Sequence, residues 1–329
     1  MIDVSIIVLN WNGRQHLETC LAAVAAQQGV SCETILVDNG STDGSLELVR
    51  ERFPWVRVVP LAENRGFAGG NNAGVREALG RHVAFLNNDT EAEPTWLRAL
   101  LGGVDEAAGF AVTTSCLVFM DDPACIDSAG DGVLRWGGAF KRHHGGSVDL
   151  ARESVEVFAA CGGACLMSRR VFEELGGFDE DFFLSQEDVD LSYRARLLGY
   201  RVRYVADAVV RHRGSATLGR LSQLSVFHAQ RNLEWMYLKN TPISILVRTF
   251  PGHLIYNMAA AVHFARVGRF GTFLRAKVAA VAGVPAVLRK RARVQRSARV
   301  GSAEIWPLLE RRWLSVKRRE KAFEQRGHR

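Results

Sequence analysis

The sequence lacks several features that would place it quickly in a class of proteins. Its six cysteines include no Cys-x-x-Cys pair, and Cys161 and Cys165 are too isolated to form a zinc site. No apolar run reaches 18 residues without charge, so no transmembrane helix is predicted. Residues 1–4 run straight into a strand pattern, with no basic n-region or cleavage site. These absences predict reduced thiols in a cytoplasmic protein.

Positive charge is unevenly distributed along the chain. Residues 241–329 contain 19 Lys/Arg and 4 Asp/Glu, a charge of +15, whereas the whole chain of 329 residues carries +7. Residues 1–240 therefore carry −8. A uniformly basic protein would suggest nucleic acid, and no nucleic-acid partner is expected here. An acidic body with a basic, apolar-rich tail favours an anionic membrane surface instead.

Strand and helix patterns alternate through the first ninety residues. Apolar, β-branched runs at 4–9, 33–37, 56–59 and 83–86 predict buried strands. Helical spacing after residue 14 and over 45–52 and 73–79 separates them. This alternation predicts a doubly wound α/β sheet with a ligand crevice at the strand ends.

Less regular patterns follow. A helix start is predicted over 91–97, and 121–157 reads as long loops or a short hairpin. A further strand is predicted at 202–205.

Polar clusters stand where each predicted strand ends. They are Asn10-Trp11-Asn12-Gly13, Asp38-Asn39-Gly40-Ser41-Thr42-Asp43-Gly44, Asn64-Arg65-Gly66-Phe67-Ala68-Gly69-Gly70-Asn71-Asn72 and Asn87-Asn88-Asp89. A carboxylate at such a strand end can hold a divalent cation. Ordinary turn and capping chemistry is the alternative for each cluster taken alone. The glycine-rich cluster is neither a Walker loop nor a dinucleotide fingerprint.

A second acidic cluster, Glu187-Asp188-Val189-Asp190, lies about a hundred residues further on. Clustered acids repel one another, so a fold that keeps them close uses them for a cation or for proton transfer. Asp190 and Arg194 are four residues apart, which predicts a pair on a helix surface. Glu187 and Asp188 are not explained in that way.

Taken as a set, these motifs resemble the inverting family-2 glycosyltransferases. Within that family, the chain is similar to the bacterial rhamnosyltransferase-like members that build cell-surface glycans. The resemblance covers about residues 3–240. It implies a GT-A fold, an α/β fold with a mixed sheet flanked by helices, and a donor that is a dTDP- or UDP-linked sugar. The remaining residues, 241–329, are expected to form an amphipathic helical tail.

The resemblance also implies roles for the polar clusters. Asp38 would recognise the pyrimidine base of the donor, with Asn10 and Asn12 of the first loop beside it. The glycine-rich loop would cover the ribose and the diphosphate, and its donor-binding residues would be Asn64, Arg65, Gly66, Gly70 and Asn71.

Asn87-Asn88-Asp89 stands where the family has its DXD-like motif, but Asn87 replaces the first carboxylate. Asn88 would contact the donor, and Asp89 would be the acidic ligand of a divalent metal, Mn²⁺ or Mg²⁺. His212 would be the second ligand, since imidazole suits manganese. Arg231 would neutralise the leaving diphosphate, with a surface charge as the alternative.

The acidic cluster matches the Glu-Asp motif of the family, which implies that Asp188 is the catalytic base and Glu187 its supporting residue. One base on one face favours a single displacement with inversion.

The acceptor would be a hydroxyl of a glycan or of a polyprenyl-diphosphate-linked glycan. The alternatives are a non-catalytic nucleotide-sugar-binding scaffold subunit, which Asn87 favours, and a nucleotidyltransferase, which the loop after the first strand fits poorly.

The tail mixes apolar residues with cations. Amphipathic helices of this kind lie in a membrane interface. We therefore expect a peripheral protein on the cytoplasmic face of the cell membrane. A helical bundle packed on the catalytic domain, or in the interface of a homo-oligomer, is the alternative.

Overall fold

The computed structural model describes residues 2–214 and 222–326. The strands are β1 (Val4–Asn10), β2 (Cys32–Asp38), β3 (Arg57–Pro60), β4 (His82–Asn87), β5 (Thr90–Ala92), β6 (Phe110–Phe119), β7 (Ile126–Ser128), β8 (Asp131–Val133), β9 (Ala139–Lys141), β10 (Val155–Val157), β11 (Ala164–Ser168) and β12 (Arg201–His212). The helices are α1 (Arg14–Ala25), α2 (Ser45–Arg52), α3 (Gly66–Arg76), α4 (Trp96–Gly102), α5 (Arg169–Glu174), α6 (Glu187–Leu197), α7 (Gln223–Asn240), α8 (Ile243–Arg266), α9 (Phe270–Ala282), α10 (Val284–Ser297), α11 (Ser302–Ile305) and α12 (Trp313–Arg326).

One mixed sheet forms the centre of the molecule, in the order β10-β12-β6-β11-β4-β1-β2-β3. β4, β1, β2 and β3 are parallel, whereas β11 runs antiparallel to both β4 and β6. β5 and β7 pair with β12 and β6, and β8 and β9 form a separate hairpin. The predicted mixed α/β sheet with helices around it is confirmed.

Buried side chains form a core on each face of the sheet. Leu17, Leu36 and Trp96 belong to one cluster, and Ile35, Phe85 and Phe172 to the other. These central strands are apolar on both faces because helices cover both of them. Because the parallel strands run in the same direction, their C-termini lie at one edge of the sheet. The polar side chains that follow them meet at this edge, where the crevice lies.

A third cluster joins the sheet region to the helical tail. Phe158 and Tyr193 pack there with Met236 of α7, Ile245 of α8 and Ile305 of α11. The tail thus shares apolar core with the rest of the chain on one of its sides. The predicted boundary at 240/241 falls between the end of α7 and the start of α8.

The glycine-rich cluster differs from the prediction. It was expected to be a loop before a helix over 73–79, but α3 already begins at Gly66. Its small residues let the helix lie against β1, since a Cβ at Gly70 would come within 2.3 Å of Leu9 Cδ1. The glycines that suggest a turn in the sequence are therefore needed for close helix–strand packing.

Two further boundaries differ from the prediction. The helix start expected over 91–97 is in fact the short strand β5 followed by α4, which begins at Trp96. The strand predicted at 202–205 extends to His212, with a register shift between Val205 and Val209. Pairing with a neighbouring strand, which the local sequence does not reveal, causes both differences.

Candidate active site

A cavity of about 290 Å³ opens at the carboxyl edge of β1, β2 and β4. Six of the residues predicted from the sequence to be functional line it: Asn64, Gly66, Asn88, Asp89, Glu187 and His212. The loop before α6 forms its opposite wall through Phe183 and Leu184. Residues far apart along the chain therefore meet at one cleft.

Asp89 and His212 are adjacent because β5 pairs with β12, with Thr90 opposite His212. The His212 Nε2 atom lies 3.4 Å from Asp89 Oδ1, and both side chains are buried. Burial raises the pKa of the Asp89 carboxyl, but the hydrogen bond and charge of His212 outweigh it and leave the pKa lowered. An ionised carboxylate and an imidazole nitrogen at this separation can bind one cation together.

Asp127, which the sequence did not single out, completes this arrangement. The His212 Nδ1 atom lies 2.8 Å from Asp127 Oδ2, and Lys141 Nζ donates to both carboxylate oxygens at 2.8 Å. Burial lowers the pKa of His212, but its contacts with Asp127 and Asp89 raise it to about 9. A carboxylate that holds the far nitrogen of a histidine orients the near nitrogen toward a metal. The donor set therefore fits a divalent metal that displaces the Nε2 proton of His212.

Three predicted donor-binding residues form a chain of hydrogen bonds at the ends of three strands. Asn88 Nδ2 donates to Asn10 Oδ1 at 2.7 Å, and Asn10 Nδ2 lies 3.5 Å from Asp38 Oδ1. The carboxylate of Asp38 also accepts from the backbone N–H of Ser41. Asn12 accepts from the backbone N–H of Thr42, which ties the first two loops together.

The start of α3 is fixed by side chains around the cavity. Asn64 Oδ1 accepts from Gly66 N, and Arg65 N donates to Asn39 Oδ1. Gly66 has a φ of +70°, and a Cβ there would lie 2.3 Å from the carbonyl oxygen of Phe183. Only glycine therefore lets the loop before α6 approach α3 so closely.

Seven of the ten predicted donor-binding residues do not line the cavity: Asn10, Asn12 and Asp38, described above, and Arg65, Gly70, Asn71 and Arg231. Gly70 packs on Leu9, and Asn71 Nδ2 donates to the carbonyl oxygen of Phe67 within α3. Arg65 forms an ion pair with Glu180. Arg231 donates to the carbonyl oxygen of Asp181 at 2.7 Å and lies over the ring of Trp235. Their contacts are with protein groups, and their role toward a donor stays a prediction.

Glu187 and Asp188 begin α6 and differ sharply in their surroundings. Glu187 is buried, and its Oε2 atom has no hydrogen-bond partner among the described residues. Burial, followed by the charge of Asp188, raises the pKa of Glu187 well above its usual range. Asp188 is half-buried, and its oxygens accept from the backbone N–H groups of Gly162 and Val189 at 2.8 Å. These bonds fix the orientation of the carboxylate.

A second carboxyl, that of Asp131, lies beside Asp188. Single ligand atoms of Asp131, Cys161 and Asp188 lie within 4.8 Å of one another, a group that could itself hold a metal ion. Burial and then the charge of Asp188 raise the pKa of Asp131 to about 7, and burial raises that of the Cys161 thiol. Burial likewise raises the pKa of Asp188, against its backbone hydrogen bonds. Burial disfavours the ionised forms of Asp131 and Cys161, whereas the pKa of Asp89 is lowered, so the carboxylate of Asp89 fits a divalent metal better.

The loop that leads into α6 has an unusual backbone. Phe183, Ser185 and Gln186 have φ values of +63°, +66° and +73°, a conformation that L-residues rarely adopt. Asn232 of α7 holds the loop, with its Nδ2 atom 2.8 Å from the carbonyl oxygens of Phe182, Leu184 and Ser185. Such strain persists where surrounding contacts enforce it, and it is common at functional sites.

Asp190 differs from its predicted place on a helix surface. It does bind Arg194, at 2.9 Å, but both side chains are buried. Lys239 and Asn240 of α7 complete the network, 2.7 and 2.8 Å from Asp190 Oδ1. This carboxylate therefore joins α6 to α7 and is separate from the cavity.

A family model described as Glycosyl transferase family 2 matches residues 5–176, which is more than half of the chain. The chain belongs to glycosyltransferase family 2. The membership predicted from the sequence motifs is thus confirmed, and the protein is a nucleotide-sugar glycosyltransferase of glycan biosynthesis.

Among the relatives of this glycosyltransferase is N-acetylglucosaminyl-diphospho-decaprenol L-rhamnosyltransferase of Mycobacterium tuberculosis. The two are 29% identical over 257 residues, which cover 69% of this chain and 82% of the relative. Solved structures share the fold at low identity. Mannosyltransferase PcManGT from Pyrobaculum calidifontis, in complex with GDP-Man and Mn²⁺, is 20% identical with a TM-score of 0.53, over 89% of this chain and 85% of that one. S. aureus TarS 1–349 in complex with UDP is 17% identical with a TM-score of 0.54, over 90% and 89%.

Proposed function

We propose that this glycosyltransferase transfers L-rhamnose from dTDP-rhamnose to a hydroxyl of a lipid-linked glycan, with inversion, in cell-surface polysaccharide synthesis. One observation carries the proposal: Asp89, His212 and Glu187 line one cavity, and Asp188, which does not line it, follows Glu187 at the start of α6. The sugar and the acceptor class are supported by the mycobacterial relative, whose name contains both. A UDP-linked donor is the alternative.

The reaction would be a single displacement. The acceptor oxygen forms a bond to the anomeric carbon while the bond from that carbon to the donor diphosphate breaks. Asp188 takes the proton of the acceptor hydroxyl, and the electron pair of the broken bond leaves with the diphosphate. The backbone N–H groups of Gly162 and Val189 hold the Asp188 carboxylate in position.

Asp89 and His212 would hold a divalent metal, Mn²⁺ or Mg²⁺, with Asp127 orienting His212. When bound, such a metal neutralises charge on the diphosphate. Asn10, Asp38 and Asn88 would position the nucleoside through the hydrogen-bonded chain at the strand ends. Glu187, buried and protonated, would support Asp188 without repelling it.

A donor panel tests the proposal. Nucleotide release is measured for dTDP-rhamnose, UDP-galactofuranose and other NDP-sugars with a polyprenyl-diphosphate-linked acceptor, with Mn²⁺ and with EDTA. We expect acceptor-dependent release from dTDP-rhamnose that EDTA abolishes. Release from another donor alone would refute the rhamnosyl assignment, and binding without release from any donor would favour the scaffold function.

We also propose that the protein lies peripherally on the cytoplasmic face of the cell membrane. Many large apolar side chains of α8 and α9 are exposed, a set we call the apolar face: Ile243, Val247, Phe250, Leu254, Ile255, Met258, Val262, Phe270, Leu274, Val278 and Val281. Among the described residues no single helix is long and apolar enough to span a bilayer, and only α9 with α10, bent by 59°, reach that length together. An exposed apolar face on a tail of charge +15 suits an anionic interface.

Flotation with anionic liposomes tests this placement. Val247 and Met258 are 67% and 68% exposed, so Val247→Gln with Met258→Gln should release the protein without disturbing the core. Leu79→Gln with Leu150→Gln removes equally exposed apolar groups outside the tail and should have no effect. Unchanged flotation of the first variant, or failure of the native chain to float, would contradict the placement.

A further inference from the structure

A second, larger cavity of about 680 Å³ lies between the β8–β9 hairpin and the segment around residues 307–312. Its charged lining is dominated by arginines, and we call it the arginine cavity. The arginines are Arg135, Arg142, Arg311, Arg312 and Arg319, and the acids are Glu156 and Glu310. The lining therefore carries an excess of positive charge.

The two acids of the arginine cavity are already engaged. Glu156 pairs with Arg196 and Arg201, both outside the lining, and Glu310 pairs with Arg312. Among the side chains that the structure describes, those of residues 2–214, 222–320 and 323, no ion pair is formed by Arg135, Arg142, Arg311 or Arg319. Four guanidinium groups thus line one cavity without an ion pair to a described carboxylate, and the charge of Glu310 acts on Arg135 from within the same lining.

Packing holds the inner arginines in place. The guanidinium of Arg135 lies 3.9 Å from the centre of the Trp306 ring, and its Nε–H donates to the carbonyl oxygen of Leu309. Arg142 donates to the carbonyl oxygen of Ala129 at 2.9 Å. Such fixed guanidinium groups lose little freedom when an oxyanion binds.

Electrostatics shows that these cations repel one another. Burial, followed by the charges of Arg311 and Arg248, lowers the pKa of Arg135. Burial, followed by the charges of Arg142 and Arg319, lowers the pKa of His143, which also lines the cavity. A bound anion would remove this repulsion, since opposite charge stabilises the charged forms.

The arginine cavity has neighbours in the candidate active site and in the helical tail. Gly132 and Val133 line it and directly follow Asp131, the neighbour of Asp188. Trp306, under Arg135, also carries the guanidinium of Arg248, 4.4 Å from the centre of its ring. Arg248 belongs to α8, the helix with the apolar face. The cavity is therefore lined by the strand residues that follow the neighbour of the candidate base, and it shares Trp306 with the helix that carries the apolar face.

We propose that the arginine cavity binds the diphosphate group of a lipid-linked acceptor. Arginine pairs bind phosphate oxygens bidentately, and a diphosphate offers charge to several guanidinium groups at once. Its lipid would extend along α8, while its sugar would reach Asp188. The inference rests on the proposed function, because it takes the acceptor to be lipid-linked.

Calorimetric titration tests the inference without requiring sugar transfer. The probes are farnesyl diphosphate, farnesol and inorganic pyrophosphate, each in EDTA so that no metal supports diphosphate at the donor cavity. Native protein should bind farnesyl diphosphate and pyrophosphate but not farnesol. Arg311→Gln with Arg319→Gln should weaken diphosphate binding by about ten-fold or more, since two charge-assisted contacts are lost. Both side chains are exposed, so the fold should be retained.

The control is Arg266→Gln with Arg275→Gln, which removes the same charge from α8 and α9 outside the cavity. It should leave farnesyl diphosphate binding within about two-fold of native. Equal weakening in both variants, or none in the first, would overturn the inference, as would equal binding of farnesol by native protein. Binding to vesicles of phosphatidylglycerol is measured as well. If Arg311→Gln with Arg319→Gln loses vesicle binding but still binds farnesyl diphosphate as the native protein does, the cavity binds lipid headgroups and the acceptor role is refuted.

A failure of this inference is distinguishable from failure of the proposed function. If sugar transfer is absent but farnesyl diphosphate binds through Arg311 and Arg319, the cavity assignment stands and the reaction assignment is wrong. If transfer occurs and the diphosphate does not depend on these arginines, the reaction assignment stands and the cavity assignment is wrong.

Discussion

Replacing Asp131 with asparagine should stabilise the protein, and more strongly at pH 8 than at pH 5. Asp131 is 7% exposed, and its carboxyl lies beside Asp188 and Cys161, with Asp127 and Lys141 also acting on it. Burial and the charge of Asp188 raise its pKa from 3.8 to about 7. An acid with a raised pKa in the folded state favours folding only while it is protonated, so this contribution is lost as pH rises from about 4 through 7.

The magnitude follows from that shift. Between pH 5 and pH 8 the unfolded chain is already ionised at this position, whereas the folded chain must give up its proton. The resulting cost grows by about 2–3 kcal/mol over this interval. For a chain of this size, that is about 4 °C in Tm. Asparagine carries no such cost, and its carbonyl can still accept the hydrogen bond that Ser128 donates to Asp131.

Thermal unfolding of the native protein and of Asp131→Asn at both pH values measures the difference. Asp121 is exposed, so Asp121→Asn is a control that should change Tm little and equally at the two pH values. A stabilisation by Asp131→Asn that is the same at pH 5 and pH 8, or larger at pH 5, would refute the reasoning.

Two other substitutions test the surroundings of the site. Asp127→Asn should weaken Mn²⁺ binding by about 10–100-fold, because the carboxylate that orients His212 is lost. Electron paramagnetic resonance measures the Mn²⁺ affinity, and an unchanged affinity would remove Asp127 from the site. Asn232→Leu should loosen the loop before α6, because three carbonyl oxygens lose their donor. Amide hydrogen exchange in this loop should become about ten-fold faster, and an unchanged exchange rate would show that Asn232 does not hold the loop.

The sequence was most informative where apolar runs are continuous. The strands expected at 4–9, 33–37, 56–59 and 83–86 match β1 to β4 closely, because strands buried on both faces leave an unbroken apolar run. The start of α3 was not predictable in this way. Its glycines satisfy packing against Leu9 and Ile7, a tertiary constraint that outweighs their poor helix propensity.

The candidate site was predictable where it is local. Asn88, Asp89 and Glu187 belong to short motifs at element ends, and the structure brings them to one cavity. Asp127 and Asp131 were missed because they come from β7 and β8, strands of three residues with no periodic signal. Their closeness to His212 and Asp188 depends on how the sheet edge folds.

The charge pattern of the sequence predicted only part of the tail's structure. It located the cationic tail, but it could not separate the apolar face from the side that packs into the core through Ile245 and Ile305. Only the arrangement of α8 and α11 against the sheet region distinguishes the two sides. The arginine cavity is likewise invisible in the sequence, since its members are spread from Arg135 to Arg319.

The assignment of Asp188 as the base is tested most directly by Asp188→Asn, with donor binding and transfer measured on the same preparation. Asparagine keeps the shape of the side chain, and its one oxygen can accept the N–H of Gly162 although not that of Val189 as well, but it cannot take a proton at neutral pH. We predict donor affinity within about two-fold of native and a kcat lower by about 10²–10⁴-fold. Transfer at the native rate, with donor binding intact, would contradict the account.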